Sequence, residues 1–224
     1  MKHHIIVTIQ ILQKHYPTLA LKEFTGRDPF KTLITTVLSQ RARDSMTIQV
    51  ASRLFQEVGE RPQDFVPLSL SRLEHLIYQS GTYRQKAKHI KAIVDILMSQ
   101  YHGEVPHTLH QLLALPGVGR KTANIVLNNC FQKAAIAVDT HVHRISNRLG
   151  WVKTTTPEKT EWALMKSIPK RYWNVLNHIL VRHGQEICKP RYPECYHCPV
   201  QSYCDFYHRI DNPQQNIKKQ NTKY

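Results

Sequence analysis

Leu115-Pro116-Gly117-Val118-Gly119-Arg120-Lys121-Thr122-Ala123 is the stretch on which the reading of this chain turns. Two glycines flank a single valine, and helical spacing begins directly after them. Ala123, Val126, Leu127 and Cys130 form one apolar stripe, while Lys121, Asn124 and Asn128 fall on the opposite face. Gly117 and Gly119 permit a tight turn and let backbone N–H groups approach another molecule closely. Those groups stand at a helix N-terminus, where orphan donors and the helix dipole favour an anion. A turn with no ligand would account for the glycines by themselves. The preceding Leu115-Pro116, the following helix and the basic pair Arg120-Lys121 together point to a phosphate, gripped without reading of bases.

Outward from this motif, apolar spacing is helical nearly everywhere. Asp28-Pro29 reads as a helix start, a capping side chain followed by proline at the first helical position. Phe30, Leu33, Ile34, Val37 and Leu38 then recur at helical intervals, as do Thr47, Val50, Ala51, Leu54, Phe55 and Val58 after Asp44. A third stripe comprises Ala87, Ile90, Ile93, Val94 and Leu97, with Lys86, Lys88 and Lys91 on or beside its other face. Tyr172, Leu176, Ile179, Leu180 and His183 predict a further helix. No run of alternating strands stands out, so the fold class is all-α.

The charge balance narrows the partners. Among 224 residues, 31 Lys and Arg face 16 Asp and Glu, a formal net charge of +15. Such an imbalance repels itself unless a polyanion is the partner, and nucleic acid or an anionic membrane both qualify. No window reaches the ~18–20 consecutive apolar residues a spanning helix needs. Met1 to Tyr16 makes a poor signal peptide, with one short apolar run and no small-residue cleavage site. A cytoplasmic, nucleoid-associated location is therefore expected, where thiols stay reduced and cysteines read first as metal ligands, nucleophiles or core residues.

Three features carry candidate chemistry. Lys121 is either a solvated phosphate ligand or a nucleophile, since a first-turn position beside Arg120 disfavours the ammonium. Asp139, in Ala135-Ile136-Ala137-Val138-Asp139-Thr140-His141-Val142-His143-Arg144, precedes a helix bearing Val142, Ile145 and Leu149. It reads equally as a helix cap and as a carboxylate turned towards a cleft. Cys188, Cys195, Cys198 and Cys204 follow the spacing Cys-x6-Cys-x2-Cys-x5-Cys, and on chemistry alone zinc and a cubane cluster compete for them. Cys130 lies outside that spacing and is assigned to the core.

Leu115 to Val126, together with Val138-Asp139-Thr140-His141-Val142, closely resembles the endonuclease III family of the helix-hairpin-helix glycosylase superfamily, and the similarity runs from about Asp28 to Cys204. The resemblance implies a nucleophile at Lys121 that attacks the sugar C1′ and an aspartate at Asp139 that assists departure of the damaged base. A Schiff base and β-elimination on the 3′ side would follow. It also implies a [4Fe–4S] cluster on the four cysteines, and DNA contacts from Lys189 and Arg191 in their first gap. Gly117, Gly119 and Arg120 would hold the DNA backbone.

Two loops depart from the family pattern. Leu38-Ser39-Gln40-Arg41-Ala42-Arg43-Asp44 sits where the family carries a glutamine that fills the gap left by the flipped base; Gln40 and Arg41 both qualify. Ser80-Gly81-Thr82-Tyr83-Arg84 matches a segment that usually has a large apolar wedge after the glycine, where this chain has Thr82. The resemblance implies a six-helix barrel domain with the hairpin over residues 22–132 and a cluster domain over 1–21 and 133–212. Residues 213–224 read as a basic disordered tail. The function expected is a monomeric, bifunctional DNA glycosylase and abasic-site lyase, acting on oxidised or ring-saturated pyrimidines in duplex DNA. The rivals are a monofunctional mismatch glycosylase acting on thymine or adenine, and a non-catalytic DNA-binding protein.

Overall fold

Residues 2–17 and 20–211 are described in the computed structural model, and every regular element among them is helical. In chain order the helices are α1 (Lys2–His15), α2 (Ala20–Thr25), α3 (Pro29–Ser39), α4 (Asp44–Val58), α5 (Pro62–Phe65), α6 (Leu70–Ile77) and α7 (Tyr83–Gln100). They continue with α8 (Leu109–Leu113), α9 (Arg120–Asn129), α10 (Thr140–Arg148), α11 (Pro157–Ser167), α12 (Trp173–Glu186) and α13 (Asp205–Asp211). The chain divides into two compact units, one running Thr18–Ala137 and the other uniting the residues to Pro17 with those from Val138. The tail expected over residues 213–224 lies outside the described residues.

Within the first unit, α3 forms the axis. Asp28 caps it by accepting a hydrogen bond from the Lys31 N–H at 2.6 Å, and Pro29 occupies the first turn. The helix buries Phe30, Leu33, Ile34, Val37 and Leu38, and its Thr32 and Thr35 as well. It packs against α2, α4, α7 and α9. A helix enclosed on so many sides reads as nearly apolar all round, and truncating any one of its leucines would cost about 2–5 kcal/mol.

Two expectations about polar faces are corrected here. Lys86 is 2 % exposed and joins the buried stripe of α7 with Ala87, Ile90, Ile93, Val94 and Leu97. The reason is its phase: Lys86 lies one turn before Ile90 on the same face. Lys88, by contrast, is exposed. On α9, the face opposite the apolar stripe is not uniformly polar surface: Lys121 is exposed, whereas Asn124 and Asn128 are buried. The non-helical return through Ala135 and Ile136 covers that side. Its carbonyls, lacking a strand partner, accept from Asn128 Nδ2 at 3.1 Å and Asn124 Nδ2 at 3.0 Å.

In the second unit, α1 lays Ile5, Ile9 and Leu12 into the core and packs along α12. That helix begins at Trp173, one residue later than Tyr172, which belongs to a 3-10 turn over Lys170–Tyr172. Leu176, Ile179, Leu180 and His183 are buried along it. α10 packs against both α11 and α12 and buries Val142 and Ile145, with Leu149 buried just beyond its end.

Candidate functional site

The glycine stretch forms a tight turn that opens α9. The Val118 N–H donates to Leu115 O at 3.1 Å, Val118 is buried, and Gly117 adopts φ 73°, in the left-handed region that favours glycine. Gly119 is the N-cap, with an extended backbone and no side chain to accept from the first-turn N–H groups of α9. Nothing lies within 4 Å of where a Gly119 side chain would begin. The opening of α9 thus has room for an anion at the positive end of the helix dipole. Lys121 stands exposed in the first turn, and Arg120 is half-buried beside it.

The two loops expected to enter DNA lie side by side, and the first is tied to this turn. Gln40 Nε2 donates to Gly117 O at 2.9 Å, so its amide is held by the hairpin. Arg41 is exposed and left-handed, with φ 55°. Its carbonyl would lie 3.8 Å from a Cβ built on Gly81, which places the second loop next to the first. Thr82 is exposed, has φ 53° and caps α7 without a side-chain hydrogen bond. A β-branched residue in that conformation stores roughly 1–3 kcal/mol of strain. Beneath both loops, Lys86 Nζ donates to Leu38 O and to Ser80 O, each at 2.7 Å. Burial pushes its pKa down to about 8.

Asp139 belongs to the second unit, whereas Lys121 belongs to the first. Asp139 is the N-cap of α10, its Oδ1 accepting from the Val142 N–H at 2.9 Å. The cap fixes the side chain at the head of the helix. Within the same unit, two arginines that the sequence reading left without a role connect α10 to the cysteine loop. Arg144 Nη2 donates to Cys188 O at 2.9 Å, and burial lowers the pKa of its guanidinium, opposed by the nearby charges of Cys188 and Asp139. Arg148 donates to Cys188 Sγ at 3.3 Å and to the carbonyls of Lys189 and Pro190, both at 2.8 Å. Their i,i+4 spacing on a helix bearing a neighbouring apolar face was the available signal.

Cys188, Cys195, Cys198 and Cys204 line one pocket, walled by apolar groups of Ile145, Leu149, Ile187, Pro193 and Phe206. Burial pushes the Cys198 thiol up to about 12 and raises Cys195 and Cys204 as well. Backbone N–H groups act in the opposite sense, from Val200 on Cys198 and from Tyr207 and Phe206 on Cys204. His183 Nε2 lies 3.6 Å from Cys198 Sγ, and its Nδ1 pairs with the Tyr16 hydroxyl at 3.2 Å. Among the described residues, no three His, Cys, Asp or Glu side chains are gathered as one metal ion would need. Cys130 stands apart, half-buried at the end of α9 with Sγ 3.5 Å from Asp28 O. Lys189 Nζ is paired with Glu194 Oε1 at 2.5 Å on the surface, and Arg191 is exposed.

Comparison with known proteins agrees over most of this length. The model of the HhH-GPD superfamily of base excision DNA repair proteins matches residues 34–170. Endonuclease III of Thermotoga maritima is 54% identical over 182 residues, covering 81% of this chain and 85% of that protein. Endonuclease III of Bacillus subtilis is 40% identical over 185 residues, covering 81% and 83%. A non-covalent endonuclease III–DNA complex superposes with a TM-score of 0.86 at 38% identity, covering 95% of this chain and 99% of that one. A trapped endonuclease III–DNA covalent intermediate gives 0.85 at 37% identity, covering 94% and 99%. A thermostable thymine-DNA glycosylase shares the fold, with a TM-score of 0.81 at 24% identity, covering 92% of this chain and 98% of that one.

Proposed function

The chain belongs to the endonuclease III family of the HhH-GPD superfamily of base excision DNA repair proteins, and from that premise we propose that it is a bifunctional DNA glycosylase and abasic-site lyase. Its substrate is duplex DNA bearing an oxidised or ring-saturated pyrimidine. The observation that carries this reading is the exposed Lys121 in the first turn of α9, directly after the Gly117–Gly119 turn. A phosphate held at the opening of α9 by backbone N–H groups brings the adjoining sugar to the amine. The net charge of +15 supplies the long-range attraction, and affinity falls steeply with salt.

In the reaction, the damaged nucleotide is rotated out of the stack. Lys121 Nζ bonds to C1′ as the C1′–N bond to the base breaks, and the base leaves with the electron pair. Asp139 stabilises the positive charge that develops on the sugar. The attached amine gives a proton to the departing base, and the ring opens to a protonated imine as O4′ takes a proton from water. Loss of a C2′ proton then expels the 3′ phosphate, which cleaves the strand. Arg41 fills the vacated space in the duplex, because the Gln40 amide is held by Gly117 O. Thr82 intrudes from the neighbouring loop, and Lys189 and Arg191 meet phosphates, the first after parting from Glu194.

The four cysteines suit a [4Fe–4S] cluster better than a single ion. They line one pocket with apolar walls, wide enough for all four sulfurs to face it, and N–H groups are directed at two of the sulfurs. When bound, such a cluster would cross-link the 188–204 loop through the four thiolates. Arg148 and His183 orient the Cys188 and Cys198 sulfurs.

Borohydride trapping on duplex DNA containing thymine glycol tests the reading, with intact protein beside Lys121→Ala. A covalent adduct that disappears in Lys121→Ala is expected. Base release with no adduct would replace it with monofunctional glycosylase chemistry. Binding without either product, across a panel of damaged bases, would leave only a DNA-binding protein.

A further inference from the structure

Lys86 is a lysine almost wholly withdrawn from water, at 2 % exposure, whose two named partners are both backbone carbonyls. Burying an ammonium costs several kcal/mol unless its charge is met, so its retention needs a reason. The two carbonyls supply one. Leu38 O lies in the last turn of α3, where carbonyls lack intrahelical donors and the dipole favours a cation. Ser80 O lies just before Gly81 and Thr82. The neighbouring carbonyls of α3 are met locally, Val37 O by the Gln40 N–H at 3.3 Å and Ser39 O by the Ala42 N–H at 3.1 Å. Leu38 O is instead met from α7.

Each carbonyl stands two residues before a loop residue of interest, Gln40 in one case and Thr82 in the other. Both loops hold a non-glycine residue in the left-handed region, Arg41 at φ 55° and Thr82 at φ 53°. Such backbone persists only where the surroundings over-determine it. One compact charge bonded to the end of α3, from which the first loop departs, and to the start of the second loop provides that restraint.

We propose that Lys86 is a positioning residue, a cross-brace that holds the Gln40–Arg43 and Ser80–Thr82 loops at the separation at which they enter the duplex together. The brace acts on lesion capture and touches neither the base nor the sugar. It rests on the glycosylase reading above, since only a protein that opens a duplex needs both loops in register. The α3 dipole and the paired carbonyls favour a cation with several donors over a neutral group. An apolar side chain of similar length would fill the space and leave both carbonyls unmet.

The test compares intact protein with Lys86→Met and Lys86→Gln on two substrates. One is duplex DNA with thymine glycol, read as single-turnover base release and as the fluorescence of a 2-aminopurine beside the lesion. The other is a single-stranded abasic site, read as strand cleavage, where there is no duplex to enter. Circular dichroism and iron content verify the fold of each variant. Lys86→Met is expected to lose roughly 10- to 100-fold on the duplex, with a slowed 2-aminopurine rise, while staying within about 2-fold on the single strand. An equal loss on both substrates in a folded variant, or no loss on the duplex, overturns the brace. Lys86→Gln, which keeps a donor for one carbonyl, is judged by the same criterion where Lys86→Met does not fold. Intact protein inactive on both substrates overturns the glycosylase reading itself, and the brace with it.

Discussion

The side-chain amide of Gln40 donates to the carbonyl of Gly117 across 2.9 Å, tying the loop after α3 to the turn that opens α9. Of the two adjacent candidates for filling the flipped-base gap, this leaves Arg41, exposed at φ 55°, as the one presented to a ligand. The two residues should therefore fail differently. Gln40→Ala loses a hydrogen bond to the hairpin, costs about 1 kcal/mol of stability and weakens damaged and undamaged duplex alike. Arg41→Ala leaves stability unchanged and slows base release, by a factor that depends on the opposite base. Urea unfolding and single-turnover rates against each opposite base check both halves, and an opposite-base effect confined to Gln40→Ala would reverse the assignment.

Asp139 combines a structural and a proposed chemical role, and the two are separable because asparagine is as good a helix cap as aspartate. Oδ1 accepts from the Val142 N–H at 2.9 Å, a bond that Asp139→Asn retains. That variant should melt with the parent, within about 0.5 kcal/mol, yet lose the charge that stabilises the sugar in the transition state. Asp139→Ala should lose both the charge and about 1 kcal/mol of stability. Thermal melting set beside base release distinguishes them. Full activity in Asp139→Asn would reduce the residue to a cap.

Much of this was legible in the sequence because its physics is local. The all-α class followed from helical periodicity, and the start of α3 from Asp28-Pro29. The glycine turn and the four cysteines announced themselves by residue type and spacing. What escaped depends on groups distant in sequence. The spacing of α9 puts Asn124 and Asn128 opposite its apolar stripe but says nothing of the Ala135–Ile136 return that covers them. Lys86 sat in phase with its apolar stripe and was set aside for its charge, since carbonyls 48 and 6 residues away were invisible. Arg144 and Arg148 acquired meaning only once α10 met the loop at Cys188. The left-handed Arg41 and Thr82 carried no signal, because only glycine advertises that conformation.

Gly117 and Gly119 look alike in sequence and serve opposite needs. Gly117 has φ 73°, and a Cβ there would run into the His89 ring. Gly117→Ala should cost about 1–2 kcal/mol from backbone strain alone, with the clash on top. Adding His89→Ala should relieve the clash and leave the strain, so the double variant is more stable than additivity predicts. Gly119 has an extended backbone and open space at its Cβ. Gly119→Ala should cost about 0.5–1 kcal/mol, the difference between glycine and alanine at an N-cap, with no clash added. It should nonetheless weaken DNA binding, because the added methyl stands where a phosphate approaches the opening of α9. Denaturant melts and fluorescence anisotropy on duplex DNA separate the two cases. Unchanged affinity in Gly119→Ala would move the phosphate elsewhere.

The burial of Lys86 should be visible in the pH dependence of stability. Its pKa falls from 10.5 to about 8 on folding, with desolvation as the cause. Between those values the unfolded chain binds a proton that the folded chain does not, so unfolding takes up a proton. Stability from this group therefore rises with pH, is fully present above 10.5 and is lost as pH falls through about 8. The span corresponds to about 3 kcal/mol at 1.36 kcal/mol per pH unit. Lys86→Met has no such proton to lose. Urea unfolding of both proteins from pH 7 to pH 10 should show the intact protein gaining on the variant by most of that amount. Parallel curves would mean that the ammonium is as well solvated inside the fold as in water, and that its carbonyl partners compensate it fully.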